Sequence, residues 1–334
     1  MNSTILALDR NEYFFPHHSA VQDALAHAAN SESIYATRDA HAELQNQLAN
    51  FLQVPSRLLA IGHGGEDLLI KILAWKRRDC QTLVRLDFSW QSYVEFATGL
   101  DYSVEEVHFG ETAQGFYTPI ASLQSILSAH AEPTVVIITT PNNPTGHSFS
   151  HSDVATLAEL FPQHTFIIDV VYDAPNTPHL QNAVAFANVI ALGSFSKFFG
   201  MPGIRVGYAV GAAIPRGFQL ILGRPPPSLA AAAAALKHTD FYLQNRAIML
   251  DFSNSATHAN WNGFRVFPSL APFFLVEINS PKISNELLQR AIQHAGARPK
   301  IFSAANRRFL RWGLGCEKTN ARIGYFMNWT ANNQ

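Results

Sequence analysis

The sequence predicts an α/β fold: a doubly wound, mostly parallel sheet with a smaller α+β domain attached. Three observations carry that expectation. The chain has 334 residues and 47% hydrophobic content, more than one typical domain and enough to bury a large core. The β-branched runs 134–139 (TVVIIT) and 165–168 (TFII) flank a helical pattern, and a strand–helix–strand rhythm favours parallel pairing. A mostly apolar stretch, 188–192 (NVIAL), then reads as a strand buried on both faces.

Taken in chain order, a short strand is expected at 83–86, followed by the strand at 134–139. Between the latter and the strand at 165–168, Ser152 caps a helix with Val154, Leu157, Ala158 and Phe161 at helical spacing. After the 188–192 strand, Pro225, Pro226 and Pro227 make a rigid lead-in, with Ser228 as the N-cap of the next helix. That helix contains the alanine run 230–235, flanked by Leu229 and Leu236, which suits close packing. A strand at 273–278 (FFLVEI) and a helix from Ser284 through Leu287, Leu288, Ala291 and Ile292 suit the second lobe. A boundary near Asp251 gives a large domain of residues 33–250 and a small domain of residues 1–32 and 251–334.

Composition removes several function classes. Net charge is −1, and the longest basic block is Lys76-Arg77-Arg78, so no nucleic-acid partner is expected. Cys80 and Cys316 are far apart and have no metal-ligand spacing, which suits a reducing compartment. The 14 histidines are scattered, and no metal site is expected from them. The N-terminus lacks a basic-then-apolar signal pattern and no apolar run approaches membrane-span length. A cytoplasmic protein without a membrane partner is the expectation.

Polar residues follow three of the expected strands. After TVVIIT comes Thr140-Pro141-Asn142-Asn143-Pro144-Thr145-Gly146; after TFII comes Asp169-Val170-Val171-Tyr172; after VIALG come Ser194, Ser196 and Lys197. Neighbouring parallel strands would gather these at one crevice, where open α/β sheets bind ligands. Two hydroxyls and Arg205, eight residues past Lys197, suit a phosphate. The Lys197 amine suits condensation with an aldehyde. Pyridoxal phosphate carries both groups on one ring. Asp169 can then keep a pyridine nitrogen protonated, and Asn143 and Tyr172 can hydrogen-bond the ring's phenolate oxygen. Upstream, Gly62-His63-Gly64-Gly65-Glu66-Asp67 opens an amphipathic run, and glycines opening a helix offer free N–H groups to a phosphate. The full G-x-G-x-x-G dinucleotide fingerprint is absent. Singly, each residue has a plainer reading: Ser-x-Ser-Lys as a solvated turn, Asp169 as a cap, Trp90 and Tyr172 as packed aromatics, Arg311 as a surface cation.

The ordered set resembles the class I/II aminotransferases of the fold-type-I pyridoxal-phosphate superfamily, and within them the histidinol-phosphate aminotransferases. The resemblance covers nearly the whole chain. It is carried by Asn11-Glu12, Tyr35, Gly64-Gly65-Glu66-Asp67, Trp90, Asn143-Pro144-Thr145-Gly146, Asp169, Tyr172, Lys197, Arg205, 266–276 and Arg311. It implies pyridoxal 5'-phosphate as cofactor, with Lys197, Asp169 and Tyr172 as catalytic residues. Gly65, Glu66, Trp90, Asn143, Ser194, Ser196 and Arg205 would complete the cofactor site, with Trp90 stacked on the ring. Tyr35 would reach the cofactor phosphate of a partner subunit, so a homodimer is implied. Arg311 would grip a substrate carboxylate and Arg298 a substrate phosphate. The implied reaction moves an amino group from an amino acid or histidinol-phosphate-like amine to a 2-keto acid. A decarboxylase resembling threonine-phosphate decarboxylase, or a non-catalytic binding protein of the same fold, is the alternative. The chain departs from the subgroup in the two valines after Asp169, in Pro272 where an asparagine is usual, and in the proline-rich loop 223–228.

Overall fold

Strands buried on both faces need apolar residues at consecutive positions, because alternate side chains face opposite layers. The run 134–139 meets that demand. In a computed structural model, which describes residues 5–31, 34–215, 217–218 and 223–334, it is a wholly buried strand. Ser33, the expected start of the large domain, and residues 1–4 lie outside the described residues.

In chain order the strands begin with β1 (Leu6–Ala7), β2 (Leu59–Gly62), β3 (Thr82–Leu86), β4 (Ser103–Val107) and the hairpin β5 (Gly110–Thr112) and β6 (Gly115–Tyr117). They continue with β7 (Thr134–Thr139), β8 (Thr165–Asp169), β9 (Val189–Ser194) and β10 (Gly207–Val210). The last five are β11 (Phe264–Val266), β12 (Phe273–Ile278), β13 (Ala297–Arg298), β14 (Lys300–Ala304) and β15 (Arg307–Gly313).

The seven-stranded sheet has the order β2-β10-β9-β8-β7-β3-β4. Its β4-β3-β7-β8-β9 portion is parallel, and β10 runs antiparallel to both of its neighbours. Val136, Ile138, Phe166 and Ile168 face one core, and Val135, Ile137 and Ile167 face the other. Register sets Thr139 beside Asp169 and Asp169 beside Leu192, so the polar ends of three adjacent strands open at one crevice. This is the doubly wound sheet that the strand–helix–strand rhythm predicts.

The small sheet is antiparallel, in the order β11-β12-β15-β14. Leu310 and Trp312 point into a core with Phe274, Val276 and Phe326. By alternation Arg311 falls on the opposite face with Phe309. The N-terminal segment joins this body: β1 pairs in parallel with β13, and Gly313 N donates to Leu8 O at 2.9 Å. The helix Ser19–His27, next in the chain, puts Val21 into the core of the large sheet.

Three local expectations are corrected. Ser150, not Ser152, caps the helix His151–Leu160, its Oγ accepting from Asp153 N at 3.0 Å. Ser228 is not an N-cap but lies inside the helix Pro226–Lys237. Prolines have no N–H to satisfy and a φ already set for helix, so Pro226 and Pro227 start it themselves. Asn188 is not in the strand. Its Nδ2 donates to the carbonyls of Ala158, Phe161 and His164, at 3.1, 3.2 and 3.2 Å. Among the described residues no helix is long and apolar enough to cross a membrane, and no group of His, Cys, Asp and Glu could hold a metal.

Candidate active site

A cavity of about 360 Å³ opens where β7, β8 and β9 end and the small sheet closes over them. Gly65, Glu66, Trp90, Asn143, Asp169, Tyr172, Ser194, Ser196, Lys197, Arg205 and Arg311 all line it.

Asp169 ends β8 and is 4% exposed. Its Oδ2 accepts from Tyr93 Oη at 2.6 Å and its Oδ1 from Val171 N at 3.1 Å. Tyr93 Oη also lies 2.8 Å from Thr139 Oγ1. Burial pushes the Asp169 pKa up to about 6, against the hydrogen bonds from Tyr93 and Val171. Burial and the neighbouring Asp169 charge hold Tyr93 well above the usual phenol range, so it stays a donor. Among the described residues no cation reaches this carboxylate. A buried carboxylate calls for a positive partner, and a protonated ring nitrogen is one.

The helix Gly65–Lys76 starts at Gly64, whose φ is +96° and whose position carries no side-chain cap. Its first N–H groups are therefore open to an anion. A Cβ on Gly64 would come within 2.7 Å of Arg205 Nη2, and one on Gly207 within 2.3 Å of Gly64 C. Only glycines allow that close approach. Ser194 Oγ lies 2.9 Å from Ser196 Oγ and accepts from Ser196 N at 3.0 Å. Glycine N–H groups, two hydroxyls and a guanidinium form a cradle suited to a phosphate.

Lys197 Nζ donates to Arg10 O at 3.0 Å and Asn11 O at 3.3 Å, and lies 5.8 Å from the Tyr172 ring centre. The amine is thus held by the main chain of the N-terminal segment and pairs with no carboxylate among the described residues. Asn143 Nδ2 donates to Tyr172 Oη at 3.3 Å. Trp90 meets Tyr93 edge-on, ring centres 5.2 Å apart. Phosphate cradle, amine, phenol and buried carboxylate in one cavity fit pyridoxal phosphate.

Arg311 comes from β15, yet it is buried beside these groups. Its Nη1 donates to Asn143 Oδ1 and its Nη2 to Asp9 O, both at 2.5 Å. Burial pulls its pKa down, against the favourable influence of Tyr172 and Asp9. An anionic ligand would compensate that burial.

Two expected site residues are not in the cavity lining. The Arg298 side chain is 52% exposed and pairs with Asp9 Oδ2 at 3.0 Å. Lys300, two residues on, lines the cavity instead. Tyr35 is 89% exposed and borders a separate groove with Thr37, Ala40, Leu229 and Ala233. Sequence reasoning also missed Tyr93, Thr139, Arg10 and Lys300, which all line the cavity. Tyr93 left one signal: it sits three residues after Trp90, close enough for the turn leading into the helix Ser92–Gly99 to bring the two rings together.

The family of class I and II aminotransferases matches residues 3–327. The histidinol-phosphate aminotransferase of Bacillus pumilus is 28% identical over 345 residues, spanning 95% of this chain and 87% of the relative. That of Campylobacter concisus is 26% identical over 313 residues, spanning 86% of this chain and 82% of the relative. The fold is shared with the histidinol-phosphate aminotransferase of Sinorhizobium meliloti, solved in complex with pyridoxal-5'-phosphate. The TM-score is 0.79 at 20% identity, over 99% of this chain and 92% of the other. The chain therefore belongs to the class I and II aminotransferases, as a pyridoxal-phosphate-dependent enzyme of the type I fold.

Proposed function

We propose that this aminotransferase takes a primary amine bearing an anionic group, of the histidinol-phosphate class, and passes its amino group to a 2-keto acid such as 2-oxoglutarate. The observation that carries this reading is the cavity itself. Lys197, Asp169 and Tyr172 lie at its floor, and Arg10, Lys300 and Arg311 supply cations around them. The names of the curated relatives support the donor class.

When bound, pyridoxal phosphate supplies an electron sink for the carbanion left by removal of the donor's α-proton. Lys197, whose amine is held by Arg10 O and Asn11 O, would serve as the general base that moves that proton. Asp169 holds the proton on the ring nitrogen, with Tyr93 and Val171 N fixing its orientation. Tyr172 and Asn143 would hydrogen-bond the ring oxygen, and Trp90 would pack on the ring. Gly65, Glu66, Ser194, Ser196 and Arg205 form the phosphate end. Arg311 binds the anionic group of either substrate through two parallel hydrogen bonds. Arg298 serves a donor phosphate only after releasing Asp9, whereas Lys300 already borders the cavity.

The reading includes a homodimer, in which the exposed Tyr35 reaches the partner's cofactor phosphate, and a cytoplasmic setting. It also includes a two-domain division close to 33–250 against the two ends. Helix Ser19–His27 packs against the helix Pro226–Lys237 and puts Val21 into the large domain's core, which argues for moving the first crossing point to about residue 16.

The test is a donor panel on the purified holoenzyme, scored for glutamate formed from 2-oxoglutarate and for CO2 released. Highest kcat/KM with a phosphate-bearing amine, and glutamate without CO2, is expected. CO2 release without amino transfer, or no preference for an anionic donor, would overturn the reading.

A further inference from the structure

Asn11 is buried in the site, 4% exposed, with φ +54°. That left-handed backbone region is one that asparagine tolerates better than most side chains. The neighbouring chain pins it there. Arg311 Nη2 donates to Asp9 O, and Lys197 Nζ donates to Arg10 O and Asn11 O, at 2.5, 3.0 and 3.3 Å. The Asn11 side chain is thus held against the site.

Its carboxamide meets Tyr172. Asn11 Nδ2 donates to Tyr172 Oη at 3.3 Å, and Asn143 Nδ2 donates to the same oxygen at 3.3 Å. The orientation of Asn143 is forced: its Oδ1 accepts from Arg311 Nη1, and a guanidinium can only donate. Its NH2 must then face Tyr172. A phenol oxygen has one hydrogen to give and two lone pairs to receive. Two amide donors fill both lone pairs, and the hydroxyl hydrogen is turned away from both asparagines.

We propose that Asn11 is a positioning residue for amino transfer: it completes the pair of amide donors that commits the Tyr172 hydroxyl to donate into the cofactor cavity. This rests on the reading that Tyr172 faces the ring oxygen of the cofactor. Without the Asn11 carboxamide, one lone pair is released and the hydroxyl can donate or accept. The charged groups around Tyr172 are Lys197, Arg311, Asp169 behind Tyr93, and Arg246 on its main-chain carbonyl, with Arg10 and Lys300 at the rim. Asn11 carries no charge, so removing its carboxamide leaves that set intact.

The experiment reads the pH midpoint of the visible absorption change of bound pyridoxal phosphate in the substrate-free holoenzyme. Tyr172→Phe should raise it by about one pH unit, the equivalent of one hydrogen bond to a charged oxygen. Asn11→Gly keeps the left-handed backbone and the carbonyl facing Lys197, and should raise the midpoint by roughly half a pH unit. In the Tyr172→Phe background, Asn11→Gly should add nothing. If Asn11→Gly does not retain cofactor, Asn11→Asp preserves volume, can only accept, and captures the Tyr172 hydrogen. Its shift, less the shift its charge causes in the Tyr172→Phe background, should match that of Tyr172→Phe. No shift from Tyr172→Phe defeats the reading of Tyr172 itself. A shift from Tyr172→Phe with none from Asn11, or an Asn11→Gly shift that persists without the hydroxyl, defeats the role of Asn11 alone.

Discussion

The two ends of the cavity are built in opposite ways. At the cofactor end, Asn143, Asp169, Ser194, Ser196 and Lys197 follow or end three adjacent parallel strands, each delivered by the strand before it. At the substrate end, Arg311 comes from the middle of an antiparallel strand in another sheet. It reaches across 168 positions to Asn143 and 302 positions to Asp9. Chemistry at a strand end is local in sequence. The second end, proposed for substrate, is assembled only where two sheets and the N-terminal segment meet. Changes at the first end should therefore destroy turnover, and changes at the second should sort substrates.

Asp169→Asn tests the first half of that contrast and carries the largest expected effect among these variants. Breaking one partner of a buried charge pair costs about 3–5 kcal/mol, so kcat should fall roughly 10²- to 10⁴-fold while cofactor still binds. The apoenzyme gives an independent readout. The Asp169 pKa rises from 3.8 to about 6 on folding. A raised folded value means stability present below the unfolded pKa and lost as pH climbs through the folded one. The loss is about 3 kcal/mol in all, roughly half of it between pH 5 and 8. Urea midpoints of the Asp169→Asn apoenzyme should lack this component. A wild-type turnover number, or an unchanged pH–stability curve, would break the comparison at its cofactor end.

Arg311→Ala sharpens the other half. Losing a bidentate, charge-assisted contact should raise KM for carboxylate-bearing substrates about ten- to a hundredfold. A donor without a carboxylate should depend on Arg311 only through its phosphate. Steady-state kinetics with both donor types decide this, and equal effects on all amines would remove Arg311 from recognition.

Tyr35→Phe should loosen cofactor binding by about tenfold, up to a hundredfold, because a phenol donates one hydrogen bond to a phosphate. Mixing Tyr35→Ala with Lys197→Ala should restore activity by forming one unimpaired shared site per mixed dimer. Proven subunit exchange without recovery would mean that Tyr35 does not act across subunits. Arg298→Ala should do least, at most about fivefold in KM for phosphate donors, since a half-exposed ion pair contributes little. A larger loss would show that Arg298 leaves Asp9 for the substrate.

The cofactor end is legible in the sequence for the same reason that it is local. Apolar β-branched runs announce β7 and β8, and the residues just past them must fall at the crevice. Gly65 is legible as a candidate for a phosphate site because glycine-opened helices offer free N–H groups, and Arg205 because a guanidinium follows Lys197 in a Gly/Pro-broken loop. Packing between distant segments is not legible in this way. Nothing near Asn11 in sequence announces Tyr172, 161 positions away. Tyr93 stays hidden because its role depends on Asp169, 76 positions on. Arg298 and Lys300, two positions apart, would share one face of a continuous strand; they part because the strand breaks at Pro299 between β13, which pairs with β1, and β14, which pairs with β15, and that tertiary pairing is not written in the local residues. The caps at Ser152 and Ser228 fail on competition between adjacent residues that composition does not resolve.

The central claim is that Lys197 carries the cofactor. Borohydride reduction of the purified, pyridoxal-phosphate-loaded enzyme, followed by peptide mapping, tests it directly. A pyridoxyl group on the Lys197 peptide and on no other is the predicted result. A label on a different lysine, or none after reconstitution, would contradict it.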